Sequence, residues 1–420
     1  MMRFYDHIIN ESAPGALQTV PAVTNVPPAE YPRVYADGRV TFRVLLPQAK
    51  SVQLEGGQGL CEKPVPLTRD ADGNWTVTLA PRVMGFHYYW FNVDGARMND
   101  PGSETFFGYN RETSGIEIPD AQQISSDLVT FPVIPFYAPH QGPHGQLEEK
   151  WYFSKLTGRW RRCFVYTPPG YGKAANAGER YPVLYLQHGA GENETGWGRQ
   201  GGVNFIMDNS ILGNASSFFA FMRGGVPKSK PMIVVMDNGY ASYATPSSEK
   251  RDPSESYAFP GTEAFGAVMV QELIPMIDSS YRTLSDRDHR AMAGLSMGGS
   301  QTMAITLTHL ELFSYIGTFS GAQFMKWRPR PGIPERPPFD PKNSYGGVFD
   351  DAEAFNSKVH LLWMGSGTAE LAMSASTREN VTKLRAAGIK VSEYQSPGTA
   401  HERQTWRLCL NKFAPLLFQS

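Results

Sequence analysis

The sequence predicts a chain of two parts, a small antiparallel β-sandwich followed by a larger α/β domain with a mostly parallel sheet. Short alternating runs separated by turn dipeptides fill the first third of the chain and are typical of a sandwich. Later apolar runs alternate with segments of helical periodicity, which is typical of a parallel sheet covered by helices on both faces. A length of 420 residues also favours more than one hydrophobic core.

The composition excludes several classes of function. The formal net charge is −1, so we expect no binding to nucleic acid or to an anionic membrane. Cys61, Cys163 and Cys409 are far apart and lack the spacing of a zinc site, although one disulfide plus a free thiol stays open. No stretch has the length of a membrane span, and the first residues lack the pattern of a signal peptide. The sequence carries no signal of oligomeric state.

The first third of the chain is predicted to hold an arm and the sandwich. Residues 1–32 are rich in Ala, Pro, Thr and Val without periodicity, so we expect an extended arm there. Residues 33–118 are the predicted sandwich, because alternating runs are separated there by turn signals such as Asp37-Gly38 and Asp94-Gly95. The Pro- and Gly-rich residues 119–145 have the composition of a linker, which leaves residues 146–420 for the α/β domain.

The sequence of the predicted sandwich resembles that of a known domain family. The run DGRVTFRVLLPQAKSVQLEGG, followed by GNWTVTLAPRVMGFHYYWFNVDGARMNDPGS, resembles the immunoglobulin-like early-set domain grouped with carbohydrate-binding module family 48. The resemblance implies an immunoglobulin-like sandwich and allows contact with glycans. Candidates for stacking on sugar rings are Trp75, Tyr88, Tyr89 and Trp90. Because alternate strand residues face opposite sides, Tyr88 and Trp90 share a face that Tyr89 does not, and one set should lie in the core.

The α/β part contains a Gly-x-Ser-x-Gly pattern at Gly294–Gly298, which is typical of a nucleophile elbow between a strand and a helix. His289–Ala293 reads as a short buried strand, and Ser300–Leu310 has helical periodicity. Such a tight turn brings backbone segments close together, so small residues are needed beside the serine. We therefore predict that Ser296 is a nucleophile. The alternative is a glycine-rich turn in which the serine caps the helix.

A serine nucleophile needs a base to take its proton and an acid to orient that base. In α/β-hydrolases the acid and then the histidine follow the serine, in loops at the carboxyl ends of strands. His401 follows the predicted last strand, Lys390–Tyr394, and is the expected base. Glu370 follows the predicted strand Val359–Met364 and is the expected acid. The competing carboxylates precede that strand and would emerge at its other end: Asp350, Asp351 and Glu353.

Backbone amides must stabilise the oxyanion that forms during such a reaction. We expect one amide from Met297 and a second from the loop after an early strand, where Ala190 is the first choice. Gly191 is the alternative and a candidate substrate contact. Trp197 and Trp327 are candidates for packing against an aromatic acyl group, and each is equally compatible with anchoring its own loop.

Five ordered motifs make residues 146–420 similar to the esterase D-like family, especially carbohydrate esterase family 1. They are RRCFVYTPPGY, YPVLYLQHGAGENETGW, QELIPMIDSSYRT, RAMAGLSMGG and GTAHERQTWR. The resemblance implies an α/β-hydrolase fold with Ser296 as nucleophile, His401 as base and Glu370 as acid. Many relatives have Asp where this chain has Glu370.

The two resemblances together imply a serine esterase that removes feruloyl groups from plant cell-wall xylan through an acyl-enzyme, with neither a metal nor an organic cofactor. Feruloylated xylan or xylo-oligosaccharide is the implied substrate. The implied location is secreted or periplasmic, with the leader absent from this sequence. A xylan acetyl esterase and a siderophore esterase are the alternatives within the enzyme class. A glycan-binding protein without activity is disfavoured, because serine, acid and histidine occur in the expected order.

Overall fold

The structure is a computed structural model that describes residues 19–119, 136–213, 228–244, 261–321 and 339–419. The first of these ranges forms eleven strands in two antiparallel sheets. The sheet orders are β1-β2-β3-β7-β6 and β10-β11-β8-β4-β5, with β9 paired to β8. The strands are β1 (Thr19–Pro21), β2 (Arg33–Tyr35), β3 (Val40–Leu45), β4 (Val52–Gly56), β5 (Val65–Pro66), β6 (Thr68–Arg69), β7 (Asn74–Leu79), β8 (Gly85–Val93), β9 (Ala96–Met98), β10 (Thr105–Gly108) and β11 (Arg111–Ile118).

The two sheets share one hydrophobic core, which makes this part of the chain a β-sandwich as predicted. Phe42 and Val44 from the first sheet pack in the same cluster as Leu54, Tyr89 and Phe91 from the second. The ring of Phe42 meets that of Tyr89 edge to face, with centroids 4.9 Å apart. Alternating apolar residues of both sheets therefore fill the space between them.

The predicted arm of residues 1–32 is too long. Thr19–Pro21 forms a strand that pairs antiparallel with Arg33–Tyr35, so the chain has joined the sandwich by residue 19. The guanidinium of Arg33 donates to the Thr19 hydroxyl at 2.9 Å and holds the pair together. Non-periodic sequence concealed this strand, because a three-residue edge strand carries too few positions for an alternating pattern. Residues 1–18 lie outside the described residues.

The four aromatic candidates for sugar stacking are buried. Trp75 and Tyr89 belong to the sandwich core. Trp90 is covered by the guanidinium groups of Arg97 and Arg111, 4.8 and 5.0 Å from its ring centroid. None of these three rings therefore presents a free face to a glycan. Tyr88 points the other way, toward the α/β part, and its surroundings belong to the site described below.

The remaining strands form one eight-stranded sheet with the order β12-β13-β15-β14-β16-β17-β18-β19. The pairs from β15 onward are parallel, and β12 and β13 add an antiparallel edge, so the predicted mostly parallel sheet is confirmed. The strands are β12 (Gln146–Ser154), β13 (Arg159–Thr167), β14 (Val183–Gln187), β15 (Ile233–Asp237), β16 (Arg290–Leu295), β17 (Tyr315–Phe319), β18 (Leu361–Gly367) and β19 (Ser392–Ser396).

Helices cover both faces of this sheet. Alternate residues of β14 feed opposite faces: Leu184 packs in one hydrophobic cluster and Tyr185 in another. The described α-helices are α1 (Gly196–Arg199), α2 (Val203–Leu212), α3 (Thr262–Val268), α4 (Ile274–Ser280), α5 (Met297–Thr308), α6 (Ala352–Lys358), α7 (Leu371–Ala386) and α8 (Arg403–Phe413). A π-helical turn, Met269–Leu273, joins α3 to α4, and short 3-10 turns occupy Ala174–Asn176, Arg287–His289, Ser344–Gly347 and Ala414–Leu416.

The predicted linker of residues 119–145 is anchored at its end rather than free. Phe136 and Tyr137 are buried in the cluster beneath α2 and α8. The side-chain amide of Asn209 donates to the carbonyl of Phe136 at 2.8 Å. The guanidinium of Arg407 lies 4.2 Å from the Tyr137 ring centroid. This part of the chain therefore belongs to the α/β domain, whereas residues 120–135 lie outside the described residues.

The sandwich and the α/β domain meet through a buried ion pair. Both terminal nitrogens of Arg407 on α8 donate to the Glu117 carboxylate on β11 at 2.9 Å. The same guanidinium donates to the carbonyls of Gln200 and Gly201. Such a bidentate pair fixes orientation as well as distance. The sandwich is thereby held against the helix that follows His401.

The cysteines and the lengths of the helices bear on two further expectations. All three cysteines are free, so the open possibility of a disulfide is not realised, and Cys163 and Cys409 are buried. Across the described ranges, no helix is both long enough and apolar enough to span a membrane.

Candidate active site

Ser296 occupies a sharp turn between β16, which ends at Leu295, and α5, which begins at Met297. Its backbone has φ 49° and ψ −112°, a strained conformation for a residue with a side chain. The flanking glycines are required by close packing. A Cβ on Gly294 would lie 2.4 Å from the Gly298 carbonyl, and one on Gly298 would lie 2.6 Å from the His188 carbonyl. The local sequence therefore folds as a nucleophile elbow.

The structure brings Ser296, His401 and Glu370 together from three separate loops. His401 Nε2 lies 3.0 Å from Ser296 Oγ, and His401 Nδ1 lies 2.6 Å from Glu370 Oε2. An ionised carboxylate only accepts hydrogen bonds, so Nδ1 carries the hydrogen and Nε2 is left to accept from the serine hydroxyl. The arrangement can therefore remove a proton from Ser296 and stabilise the imidazolium that results.

Glu370 is held in place by two donors that sequence reasoning did not identify. Its Oε1 accepts from the Gly367 amide at 2.7 Å and from the hydroxyl of Ser320, which follows β17 and has a φ of 49°. Only the second oxygen is left to face His401. The carboxylates that competed for this role lie before β18: Asp350, Asp351 and Glu353 are exposed, and Asp351 caps α6 by accepting from the Ala354 amide.

Met297 and Ala190, the residues expected to supply the oxyanion amides, both lie beside Ser296. Met297 is the first residue of α5, where the amide groups have no partner within the helix and the helix dipole favours negative charge. Ala190 lines the pocket above Ser296. The loop Gly189–Glu192 is a four-residue turn, closed by a bond from the Glu192 amide to the Gly189 carbonyl. Gly191 has φ +80° in its third position, as a type II turn requires.

The amide of Gly191, the alternative to Ala190, has a partner outside the pocket. That N–H donates to the hydroxyl of Tyr240 at 2.7 Å, so it is already engaged. Gly191 is also buried, whereas Ala190 is exposed. The orientation of the turn decides between the two amides, because successive peptide groups in a type II turn face different directions.

His188 supports the same loop from below. Its Nε2 accepts from the Gly239 amide at 2.9 Å, which leaves the hydrogen on Nδ1 to be donated to the Gly189 carbonyl at 2.8 Å. Burial lowers the pKa of His188, so the ring stays neutral and keeps both bonds. This histidine therefore fixes the loop and does not compete with His401 as the base.

A pocket of about 190 Å3 opens at Ser296 between the sandwich and the α/β domain. Phe86, Tyr88 and Tyr109 of the sandwich form one wall, and Trp406 of α8 forms part of the other. Its remaining described lining residues are Gly57, Gln58, His87, Gly189, Ala190, Glu192, Leu295, Ser296, His401, Glu402 and Arg403. The sandwich wall is the main functional feature that sequence reasoning missed. Its only sequence signal is the aromatic density of β8 and of the β10–β11 turn.

The two tryptophans proposed for acyl contact have different outcomes. Trp197 is 1% exposed and lies in the core beneath the sheet, where its indole N–H donates to the Gln187 carbonyl at 3.0 Å. Its ring packs edge to face on Phe319. Of the two roles left open for Trp197, this burial supports the loop anchor, because the α1 turn points the ring inward. Trp327 lies outside the described residues.

Two buried titratable groups adjoin the pocket. Burial raises the pKa of Glu402 to about 8, even though the amides of Gln404 and Thr405 donate to its carboxylate at the start of α8. Burial lowers the pKa of His87 to about 4, despite its bond to the Val83 carbonyl. Burial thus favours the uncharged form of both side chains. Across the described ranges, no cluster of His, Cys, Asp or Glu has the arrangement of a metal site.

Comparison with known proteins places this site in a family context. Residues 154–417 match the family described as "Putative esterase". Over 403 residues the chain is 39% identical to an "Endo-1,4-beta-xylanase/feruloyl esterase" of Xylanibacter ruminicola, a match that covers 95% of this chain and 47% of that protein. The chain thus spans about half the length of that relative.

Solved structures share the fold at low sequence identity. A CE1 ferulic acid esterase from Anaeromyces mucronatus in complex with ferulic acid is 18% identical, with a TM-score of 0.51 over 71% of this chain and 96% of that one. The enterochelin esterase of Shigella flexneri is 17% identical, with a TM-score of 0.59 over 91% of this chain and 92% of that one. These likenesses concern the fold alone. The family match covers more than half of the sequence, and the chain belongs to the esterase family.

Proposed function

We propose that this chain is a serine ester hydrolase that works through an acyl-enzyme. The observation that carries the proposal is the continuous hydrogen-bonded relay from Ser296 through His401 to Glu370 at the end of a strained elbow. Ser296 Oγ attacks the ester carbonyl while His401 Nε2 takes its proton. The amides of Met297 and Ala190 stabilise the oxyanion.

The rest of the cycle follows from the same groups. When the tetrahedral intermediate collapses, the ester bond to the alcohol oxygen breaks and His401 returns the proton to that oxygen. Water then attacks the acyl-enzyme with His401 again as base, and the carboxylic acid leaves with Ser296 restored. Every proton and oxygen is supplied by ester and water, so this cycle requires neither a metal nor an organic cofactor.

We further propose that the acyl group is feruloyl or a related hydroxycinnamoyl group carried on plant xylan. The name of the Xylanibacter ruminicola relative supports this assignment. The size and lining of the pocket also support it. One water molecule occupies roughly 15 Å3 of cavity volume, whereas this pocket has about 190 Å3 and aromatic walls. An acetyl group would leave most of that volume empty. We also propose a secreted or periplasmic location, because a polymeric cell-wall substrate lies outside the cytoplasm.

The finer family assignments are part of the proposal. We assign the catalytic domain to carbohydrate esterase family 1, and the sandwich to the immunoglobulin-like early-set domains related to carbohydrate-binding module family 48. We divide the described chain into a sandwich at residues 19–118 and an α/β domain that includes residues 136–419. Two antiparallel sheets on one core, joined to an α/β-hydrolase fold, support this reading.

The test compares hydrolysis of methyl ferulate, acetylated xylan and a catecholate trilactone by the purified chain and by its Ser296→Ala variant. Methyl ferulate should be turned over, acetylated xylan should be a poor substrate, and the variant should be inactive on both. Full activity of the variant on a small aryl ester would remove Ser296 from the mechanism. Acetate release from xylan in excess of ferulate release would replace the acyl assignment.

A siderophore esterase is the second candidate. One observation favours it: the fold likeness to the enterochelin esterase covers 91% of this chain, including the sandwich, against 71% for the ferulic acid esterase. A catecholate trilactone is therefore the third substrate of the experiment. Turnover of the trilactone without turnover of methyl ferulate would favour this candidate over the first.

A further inference from the structure

The tip of the sandwich touches the loop that carries the Ala190 amide. The two-residue turn between β10 and β11, Tyr109–Asn110, lies against Gly191, and the Asn110 amide donates to the Gly191 carbonyl at 2.9 Å. A Cβ on Gly191 would lie 3.3 Å from both the Cα and the backbone nitrogen of Tyr109. The backbones of the two domains are therefore in direct contact one residue away from Ala190.

The turn that makes this contact is itself strained. Tyr109 has φ 57° and Asn110 has φ 61°, as both central residues of a two-residue hairpin turn often do. Asn accepts this region readily, whereas an aromatic residue there is strained. The Tyr109 ring is held edge to face on Tyr88 and Trp90, at centroid distances of 5.7 and 5.2 Å. Strain that is kept in place by packing often marks a functional position.

A second contact ties the sandwich to the same loop through a side chain. The hydroxyl of Tyr88 donates to Glu192 Oε1 at 3.0 Å. The other carboxylate oxygen of Glu192 accepts from the Gly189 amide at 3.3 Å, and Oε1 also pairs with the buried guanidinium of Arg403. Glu192 thus joins the sandwich, the start of the loop and α8, which follows His401. The side chains of Tyr88, Glu192 and Arg403 are all buried.

Taken together, both ends of the loop Gly189–Glu192 are fixed by the sandwich. Asn110 holds the Gly191 carbonyl, and Tyr88 acts through Glu192 on Gly189. Ala190 lies between these two points. Oxyanion stabilisation depends on donors that are in position before the charge develops, so a loop free to shift would lose part of this stabilisation.

We propose that the sandwich is a positioning element of the catalytic apparatus: Tyr88 and the Tyr109–Asn110 turn hold the Ala190 amide toward the reacting carbonyl. The inference rests on the proposed ester hydrolysis. Tyr88 and Asn110 are positioning residues here, since they act through Glu192 and Gly191. The sandwich should therefore influence turnover even of an ester too small to extend along its surface.

The test compares Tyr88→Phe with Tyr89→Phe, using 4-nitrophenyl acetate and methyl ferulate. Tyr88→Phe keeps the ring but loses the hydroxyl that reaches Glu192. Tyr89→Phe is the matched control: its hydroxyl donates to buried Asp100 at 2.7 Å, in the same strand but inside the sandwich core. For Tyr88→Phe we expect kcat on both esters to fall by about three- to thirtyfold with KM little changed, less than the hundred- to thousandfold typical of losing an oxyanion donor outright. Tyr89→Phe should keep its kcat.

Several results would overturn the inference. An unchanged kcat for Tyr88→Phe, or an equal loss in Tyr89→Phe, would mean that the hydroxyl matters only for the stability of the sandwich. A loss confined to methyl ferulate, with a raised KM, would make Tyr88 a substrate contact. A double-mutant cycle with Glu192→Gln should give strongly non-additive losses, and additive losses would contradict the connection through Glu192. If the parent chain hydrolyses neither ester, the proposed function fails and this inference fails with it; if the parent is active and Tyr88→Phe is silent, only the inference fails.

Discussion

Replacing Glu370 with glutamine tests how the acid acts on His401. The two oxygens of Glu370 have different partners: Oε1 accepts from the Gly367 amide and the Ser320 hydroxyl, and Oε2 faces His401 Nδ1 at 2.6 Å. Because the Gly367 amide can only donate, the oxygen of the introduced amide must take the Oε1 position. Its NH2 group then faces Nδ1 and can only donate to it.

This reversal forces the wrong tautomer on the histidine. Nδ1 must become the acceptor, Nε2 then carries the hydrogen, and Ser296 loses its proton acceptor. The same carboxylate-to-amide change in a serine protease lowers kcat by about 10⁴-fold. We expect a fall of about 10³- to 10⁴-fold for Glu370→Gln, which corresponds to about 4–5.5 kcal/mol in the barrier. The KM should change little, because Glu370 is not among the described residues that line the pocket.

The assay is the kcat on 4-nitrophenyl acetate and methyl ferulate, with the thermal midpoint as a check on folding. Ser320→Ala is the matched control: it removes one donor to Oε1 but keeps the carboxylate charge and the Gly367 bond. We expect it to lose much less activity than Glu370→Gln. A Glu370→Gln variant within about tenfold of the parent kcat, a difference of only about 1.4 kcal/mol, would refute the tautomer argument.

Three further predictions concern stability. Glu117→Gln should leave the buried Arg407 guanidinium without its counter-charge and lower the free energy of unfolding by about 3–5 kcal/mol, measured with urea, whereas pairing Glu117→Leu with Arg407→Met should recover much of that loss. Because the pKa of Glu402 is raised from 4.5 to about 8, the unfolded chain releases this proton before the folded protein does. Stability should therefore fall as pH rises through that window, and Glu402→Gln should flatten the decline. Trp197→Phe should lower the free energy of unfolding by about 1–3 kcal/mol, because the buried Gln187 carbonyl loses the indole N–H donor. A raised KM for methyl ferulate with unchanged stability would instead indicate that Trp197 contacts the substrate.

The positions of the relay residues could be predicted from their order in the sequence and from their places after the carboxyl ends of predicted strands. Ser296, Glu370 and His401 each lie just beyond a predicted parallel strand, and parallel strands present their carboxyl ends at one edge of the sheet. That geometry holds for any sheet of this kind, so no side-chain contacts are needed to expect the three residues near one another. Their roles as nucleophile, acid and base remain predictions for the kinetic tests above.

Other features depended on contacts between distant parts of the chain. Gly191 and Ala190 are adjacent small residues. The bond from the Gly191 amide to Tyr240 and the exposure of Ala190 in the pocket distinguish them. Ser320 supports the acid through a loop that precedes it by fifty positions. Tyr88 was a candidate for stacking on sugar rings, yet its hydroxyl donates a hydrogen bond to Glu192 in the other domain. Such long-range partners leave no local periodicity.

The sequence by itself determined the two-part architecture, the nucleophile elbow and the order of the candidate relay. These features depend on local chemistry: the spacing of apolar residues, the need for glycine beside Ser296, and the rule that sites lie beyond the ends of parallel strands. Tertiary structure alone decided that the sandwich forms a wall of the pocket and contacts the loop Gly189–Glu192. Those features arise where Glu117 meets Arg407 and where Asn110 meets Gly191, and domain docking is set by surface complementarity that no single segment encodes.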